Sequence, residues 1–208
     1  MNPTFTKKGP TPISYLRSPT SDPVYQILST KYLLYTGVWR EHKNLKRLME
    51  AFLAFAKENQ NINLVITGKY DPLYAEIINM PEQARLQDRV HFVGHVSEGE
   101  IIALYQNALA FVFPSLYEGF GLPPLEAMAC GVPVVCSNTS SLPEVCGDAA
   151  LYFDPLSLTD IREKIERITS DEDLRSELIH KGLGNIRRFS WRMMTERTLE
   201  IYKQALDL

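Results

Sequence analysis

Residues 118–126 read EGFGLPPLE, and their types and spacing point to a definite chemistry. Two carboxylates, Glu118 and Glu126, bracket two glycines and a double proline. The apolar run LAFVF at 109–113 precedes them, followed by Pro114 and Ser115. This order predicts a buried strand, a glycine-rich turn and a helix start. Pro123 and Pro124 suit the first helical turn, where the N–H groups they lack have no intrahelical partner. The amides of Gly119, Phe120, Gly121 and Leu122 then face solvent. Free amides at a helix N-terminus attract a phosphate, helped by the helix dipole. Glu118 enters ahead of the turn, and Glu126 is expected in the first helical turn. A phosphate cradle flanked by two hydroxyl acceptors suits a sugar nucleotide. Gly-Phe-Gly alone is explained as well by a tight turn, and a glutamate near a helix start by the dipole alone. The complete nine-residue string is the specific feature.

Further candidates lie in other loops. Residues 37–44, GVWREHKN, follow a short apolar run and carry Arg40 and Lys43. A departing diphosphate gains negative charge, which positioned cations stabilise. A solvated charged loop is the plainer alternative. His91 and His95 in VHFVGHV, residues 90–96, have the spacing of a helical zinc pair. The segment reads as strand then loop, so the rings share no helical face. Asp171 and Asp173 form an Asp-x-Asp pattern, but they precede a helical segment and suit its cap. Cys130, Cys136 and Cys146 lack zinc spacing. No metal is expected.

The elements that must position these residues alternate regularly. Strands are expected near 32–36, 62–67, 90–93, 110–113, 132–136 and 150–153. Helices are expected near 44–58, 72–85, 97–107, 124–130, 141–146, 157–169, 171–187 and 190–206. Ser97 and Glu100 form a capping box. Alternation of strand and helix implies a parallel sheet with right-handed crossovers. Continuous apolar strands imply that both faces are covered. The fold class is α/β: one doubly wound, Rossmann-like sheet over residues 31–208. Ligands of such sheets sit beyond the carboxyl ends of the strands. Residues 1–30 are rich in Pro, Thr and Ser and read as a linker or poorly ordered arm.

Composition narrows the classes. The chain has 208 residues, enough for one domain with a sizeable core. A net charge of −3 gives no sign of nucleic-acid binding. No apolar run approaches the ~20 residues of a membrane span, and no signal peptide is visible. An odd, sparse set of three cysteines fits reduced thiols in the cytoplasm.

Residues 113–135, FPSLYEGFGLPPLEAMACGVPVV, resemble the signature of the retaining GT-B glycosyltransferases, family 4 (glycosyltransferase group 1), around its Glu-x7-Glu motif. Residues 140–150, 37–45 and 90–96 extend the resemblance, which spans roughly residues 32–205. It implies one half of a GT-B fold, the C-terminal donor-binding domain. It further implies transfer of a hexosyl group from a nucleoside diphosphate sugar, with retention, to a glycan, lipid or other hydroxyl acceptor. Glu118 would contact the donor sugar and stabilise oxocarbenium charge. Glu126 would bind ribose, and the amides of Gly119, Phe120, Gly121 and Leu122 would hold sugar and phosphate. Lys43 matches the family's phosphate-binding lysine. Val38 stands where the family often has arginine, so Arg40 is expected to supply the second cation. His95 and Val96 occupy the positions that hold the base. The acceptor domain would need well over a hundred more residues upstream, so a separate acceptor-binding domain or subunit is expected, and the chain alone is expected to be inactive in transfer. Peripheral contact with a membrane stays open. The alternatives are a non-catalytic nucleotide-sugar-binding subunit or gene fragment and a non-hydrolysing epimerase, against which the Glu-x7-Glu string argues.

Overall fold

The structure, a computed structural model, describes residues 23–206. Its centre is a six-stranded parallel sheet of order β3-β2-β1-β4-β5-β6. The strands are β1 (Tyr32–Thr36), β2 (Asn63–Thr67), β3 (Val90–Gly94), β4 (Ala110–Phe113), β5 (Val134–Ser137) and β6 (Ala150–Phe153). Every strand of the central pair is buried on both faces, as its unbroken apolar sequence requires. Successive β1 side chains serve opposite cores: Leu33 and Tyr35 pack on one side, Tyr32 and Leu34 on the other. The expected doubly wound α/β architecture is present.

Two helical layers cover the sheet. Helices α2 (Leu45–Ala56) and α7 (Leu158–Ser170) pack together over one face, with α3 (Ala75–Gln83) against α2. In α2, Leu45, Leu48, Met49, Phe52 and Phe55 are buried, which is the 3.6-residue apolar stripe read from the sequence. The other face carries α4 (Glu98–Asn107), α5 (Leu122–Ala129) and the short α6 (Leu142–Cys146). Helix α8 (Glu172–Asn185) packs on α5, and α9 (Trp191–Leu206) ends the described chain without burying a residue.

The capping signals hold. Ser97 and Glu100 form the reciprocal capping box of α4. Asp171 caps α8 by accepting from the Leu174 amide at 2.8 Å, so the Asp-x-Asp pattern is a helix start. Several boundaries differ from the sequence expectation, and the helix expected from 72 begins at Ala75 after a 3-10 turn at Pro72–Tyr74. Part of the segment expected as an arm through residue 30 is helical instead: residues 23–28 form helix α1 (Pro23–Leu28). Val24 and Ile27, one helical turn apart, bury themselves beside α4. Residues 1–22 of that expected arm lie outside the described residues. Strand β5 begins at Val134 because Val132 still belongs to the end of α5. The Val132 amide reaches the Ala127 carbonyl and that of Gly131 reaches Met128, both at 3.0 Å, with Gly131 at φ +75°. That pairing is a Schellman closure. Helix α5 itself begins at Leu122, two residues before the expected start.

Candidate functional site

The strand order reverses between β1 and β4, the neighbours at the middle of the sheet. Loops leaving two such strands diverge to opposite sides and open a crevice at the sheet's carboxyl edge. The loop after β1 carries Lys43, and the loop after β4 carries Glu118. The Lys43 ammonium meets Glu118 Oε1 at 2.6 Å, with both side chains only 13% exposed. It also lies 5.3 Å from the centre of the Phe113 ring, over which a cation is attracted by the π face. Burial, and then the charge of Glu118, push the neighbouring Tyr35 phenol above its usual range.

Asn44 stitches these loops together. It occupies the left-handed region at φ 57°, where asparagine is tolerated better than most residues. Its buried Nδ2 donates to the carbonyls of Pro114 at 3.1 Å and Pro155 at 2.8 Å, the loops after β4 and β6. The Leu116 amide donates to the His42 carbonyl at 2.7 Å. Lys43 is therefore placed by backbone already anchored to the opposite wall of the crevice.

The glycine-rich turn is braced from behind. Ser140 Oγ accepts from the Glu118 amide at 3.1 Å and donates to its carbonyl at 2.6 Å. Ser141 Oγ lies within hydrogen-bonding distance of the carbonyls of Glu118 and Phe120. Gly121 has φ +99°, and a Cβ there would stand 2.7 Å from Leu142 Cδ2. The turn thus needs glycine for both its conformation and its closeness to α6. Among the described residues, no hydrogen bond uses the amides of Gly119, Phe120, Gly121 or Leu122 as donors. Gly119, Phe120 and Leu122 are exposed, whereas Gly121 is buried.

The earlier start of α5 corrects the place of Glu126. It lies in the helix's second turn, because Pro123 falls one residue inside the start and the helix nucleates at Leu122. There it faces Tyr105 of α4, whose hydroxyl donates to Glu126 Oε2 at 3.3 Å. Thr36 Oγ1, at the end of β1, lies 3.0 Å from the same hydroxyl. Burial raises the Glu126 carboxyl above its ordinary range, and the Tyr105 hydrogen bond opposes that rise. Burial also pushes the Cys130 thiol up to about 11, with the charge of Glu126 adding to the effect.

Arg40 goes elsewhere. Its guanidinium pairs with Asp71 of the loop after β2 and donates to the Trp39 carbonyl at 3.2 Å, and its side chain is 56% exposed. Among the described residues it makes no hydrogen bond or ion pair with Glu118 or the glycine turn. His95 is exposed just beyond β3, while Val96 is half-buried and packs against the core. His91 lies on β3 with Nε2 buried and unpartnered. No group of three or more His, Cys, Asp or Glu among the described residues could hold a metal ion. No described helix is long and apolar enough to cross a membrane. Sequence reasoning missed Thr36, Tyr105, Ser140 and Ser141 as neighbours of the site. A tyrosine in an apolar helical pattern reads as core, and serines before a short helix read as caps.

The profile of the family described as "Glycosyl transferases group 1" matches residues 20–183. This chain belongs to that family. It is 37% identical over 180 residues to O-antigen chain mannosyltransferase B of Escherichia coli, covering 86% of this chain and 47% of that protein. It is 36% identical over 183 residues to the serotype-specific mannosyltransferase WbdA of Escherichia coli, covering 86% of this chain and 22% of that one. Among solved structures, sucrose-phosphate synthase from Thermosynechococcus elongatus superposes with a TM-score of 0.72 at 28% identity, over 86% of this chain and 46% of that one. A glycosyltransferase from Rickettsia africae superposes at 0.75 with 21% identity, over 86% and 48%, and shares the fold. The group 1 domain described here therefore spans about half, or less, of the length of these relatives.

Proposed function

We propose that this glycosyltransferase chain binds a nucleoside diphosphate hexose and supports transfer of the hexosyl group, with retention, to a hydroxyl acceptor. The observation that carries the reading is the Lys43–Glu118 pair at the crevice, beside the unused amides of residues 119–122. An ammonium has three donors, so Lys43 can hold Glu118 and a phosphate oxygen together. As the bond from the sugar's anomeric carbon to the diphosphate breaks, charge develops on both fragments. Lys43 and the turn amides face the anionic one, and Glu118 faces the cationic sugar. Glu118 is not assigned as a covalent nucleophile. Glu126 accepts the ribose hydroxyls, and the backbone at His95 and Val96 borders the base. Arg40, paired with Asp71, is at most a peripheral cation. No metal is assigned a role in donor binding.

The relatives named as mannosyltransferases favour mannose as the transferred sugar. Their greater length supports an acceptor, a glycan or lipid hydroxyl, bound by a further domain or subunit. The three cysteines, none in a disulfide, fit a cytoplasmic setting. Titration of the chain with UDP, GDP and ADP, with and without EDTA, tests the reading by calorimetry. One of the three is expected to bind, equally well in EDTA. No binding to any of them would overturn the site.

A further inference from the structure

We infer that Tyr105, backed by Thr36, is the positioning residue that holds the Glu126 carboxylate for the ribose of the donor. This rests on the assignment of Glu126 to ribose made above. The geometry is a directed relay. An ionised carboxylate only accepts, so the Tyr105 hydroxyl at 3.3 Å must donate its proton to Glu126 Oε2. Its oxygen is then free to accept from Thr36 Oγ1 at 3.0 Å. The relay joins the end of β1, the last turn of α4 and the second turn of α5, three elements far apart in sequence.

Burial gives the relay its stiffness. Tyr105 is 2% exposed and Thr36 8%, so no water competes for either hydroxyl from the core side. The Tyr105 ring sits edge-on to Phe111 at 5.4 Å, which fixes where its oxygen points. The phenol makes no other hydrogen bond among the described residues. Phenylalanine would pack the same ring, so the hydroxyl's distinct contribution is its hydrogen bonds, to the carboxylate and from Thr36. Oε1 of Glu126 has no partner among the described hydrogen bonds, leaving one oxygen held and one free for a ligand. The titratable group that acts on Glu126 is Tyr105 from α4, and Glu126 in turn acts on Cys130 at the end of its own helix. The Cys130 thiol, pushed up to about 11, stays neutral at the pH of interest.

The test is Tyr105→Phe, read with two probes: whichever of UDP, GDP and ADP binds best, and its 2′,3′-dideoxy form. Wild type should prefer the ribose form by on the order of tenfold, as expected when a charged acceptor loses its hydroxyl donors. Tyr105→Phe should lose most of that preference while affinity for the dideoxy probe stays unchanged. It should also move the acid limb of ribose-form binding to higher pH, since the carboxylate loses the bond that opposes its protonation. Glu126→Gln should abolish both the preference and the acid limb, and adding Tyr105→Phe to it should change nothing further. A wild-type preference and acid limb in Tyr105→Phe would overturn the relay while leaving Glu126 on ribose. Equal losses for both probes would overturn it too, as the mark of a merely structural tyrosine. A wild type that binds both probes equally would overturn the ribose assignment itself. Should Tyr105→Phe not fold, Thr36→Val gives the same test at the other end of the relay, with a smaller shift in the same direction expected and no shift overturning it.

Discussion

Lys43 and Glu118 neutralise each other across the crevice, so removing either leaves a half-buried charge without its partner. Lys43→Ala should lower nucleoside diphosphate affinity by about tenfold or more and leave nucleoside affinity unchanged, because only the phosphates use the ammonium. Arg40→Ala should have little effect, since that guanidinium is exposed and engaged with Asp71. Calorimetric titration of both variants with diphosphate and nucleoside checks the contrast, and equal losses would return Arg40 to the site. Glu126 sets a pH dependence of opposite sign for stability and binding. Burial raises its native carboxyl above the unfolded value, so the native state holds the proton more tightly. That group's contribution to stability therefore falls as pH rises through this window. Affinity for ribose should rise over the same window, because binding uses the carboxylate. A flat affinity from the ordinary carboxylate range up to neutral pH would contradict this. The two carboxylates stood out in sequence by their types and spacing and Lys43 by its loop and the family resemblance, and the structure brings Lys43 and Glu118 together. Thr36 and Tyr105 did not stand out, because only tertiary contact brings residues 36, 105 and 126 together.

The elements were legible where a physical rule acts locally. Apolar runs marked the strands, and the Ser97–Glu100 box and Asp171 marked helix starts through hydrogen bonds within four residues. Helix α1 was not legible, since prolines and polar residues surround the two buried side chains that hold it to the core. The start of α5 was misplaced by two residues because the double proline, taken as the first turn, follows Leu122. That start depends on Gly121. Gly121→Ala should destabilise the fold by ~1–3 kcal/mol, the usual cost of a non-glycine residue held at a left-handed backbone position. The new Cβ would also press on Leu142 at 2.7 Å, disturbing the α6 brace of the turn. Urea unfolding should show the loss, with weakened nucleoside diphosphate binding alongside it. A variant as stable as wild type would mean that the turn adopts another conformation without cost.

At the scale of the molecule, one sheet edge gathers every proposed donor contact. Loops after β1, β3 and β4, with Glu126 of α5, supply the side chains and amides, while Asn44 and the serines of 140–141 hold the loops in register. This follows from a strand order that reverses at β1 and β4, with two cores holding the strands from either side. Helix α9 stands apart from that arrangement. It buries no residue, and Trp191, Met194, Ile201 and Tyr202 are exposed along it. A hollow of about 530 Å³ separates part of it from Phe120, Leu122 and Leu125. Near the site, Phe189, just before the helix, meets the Phe120 ring edge-on at 5.6 Å. Hydrophobic stabilisation scales with apolar area removed from water, and α9 removes little. Ending the chain after Ser190 should therefore leave the melting temperature nearly unchanged. Because Phe189 stays, nucleoside diphosphate affinity should stay within about twofold, a small fraction of the tenfold that corresponds to 1.4 kcal/mol. Thermal unfolding and titration of the shortened chain check both expectations. A collapse in stability would show that α9 supports the core through contacts beyond burial. A loss of affinity with stability intact would place the helix in the donor site.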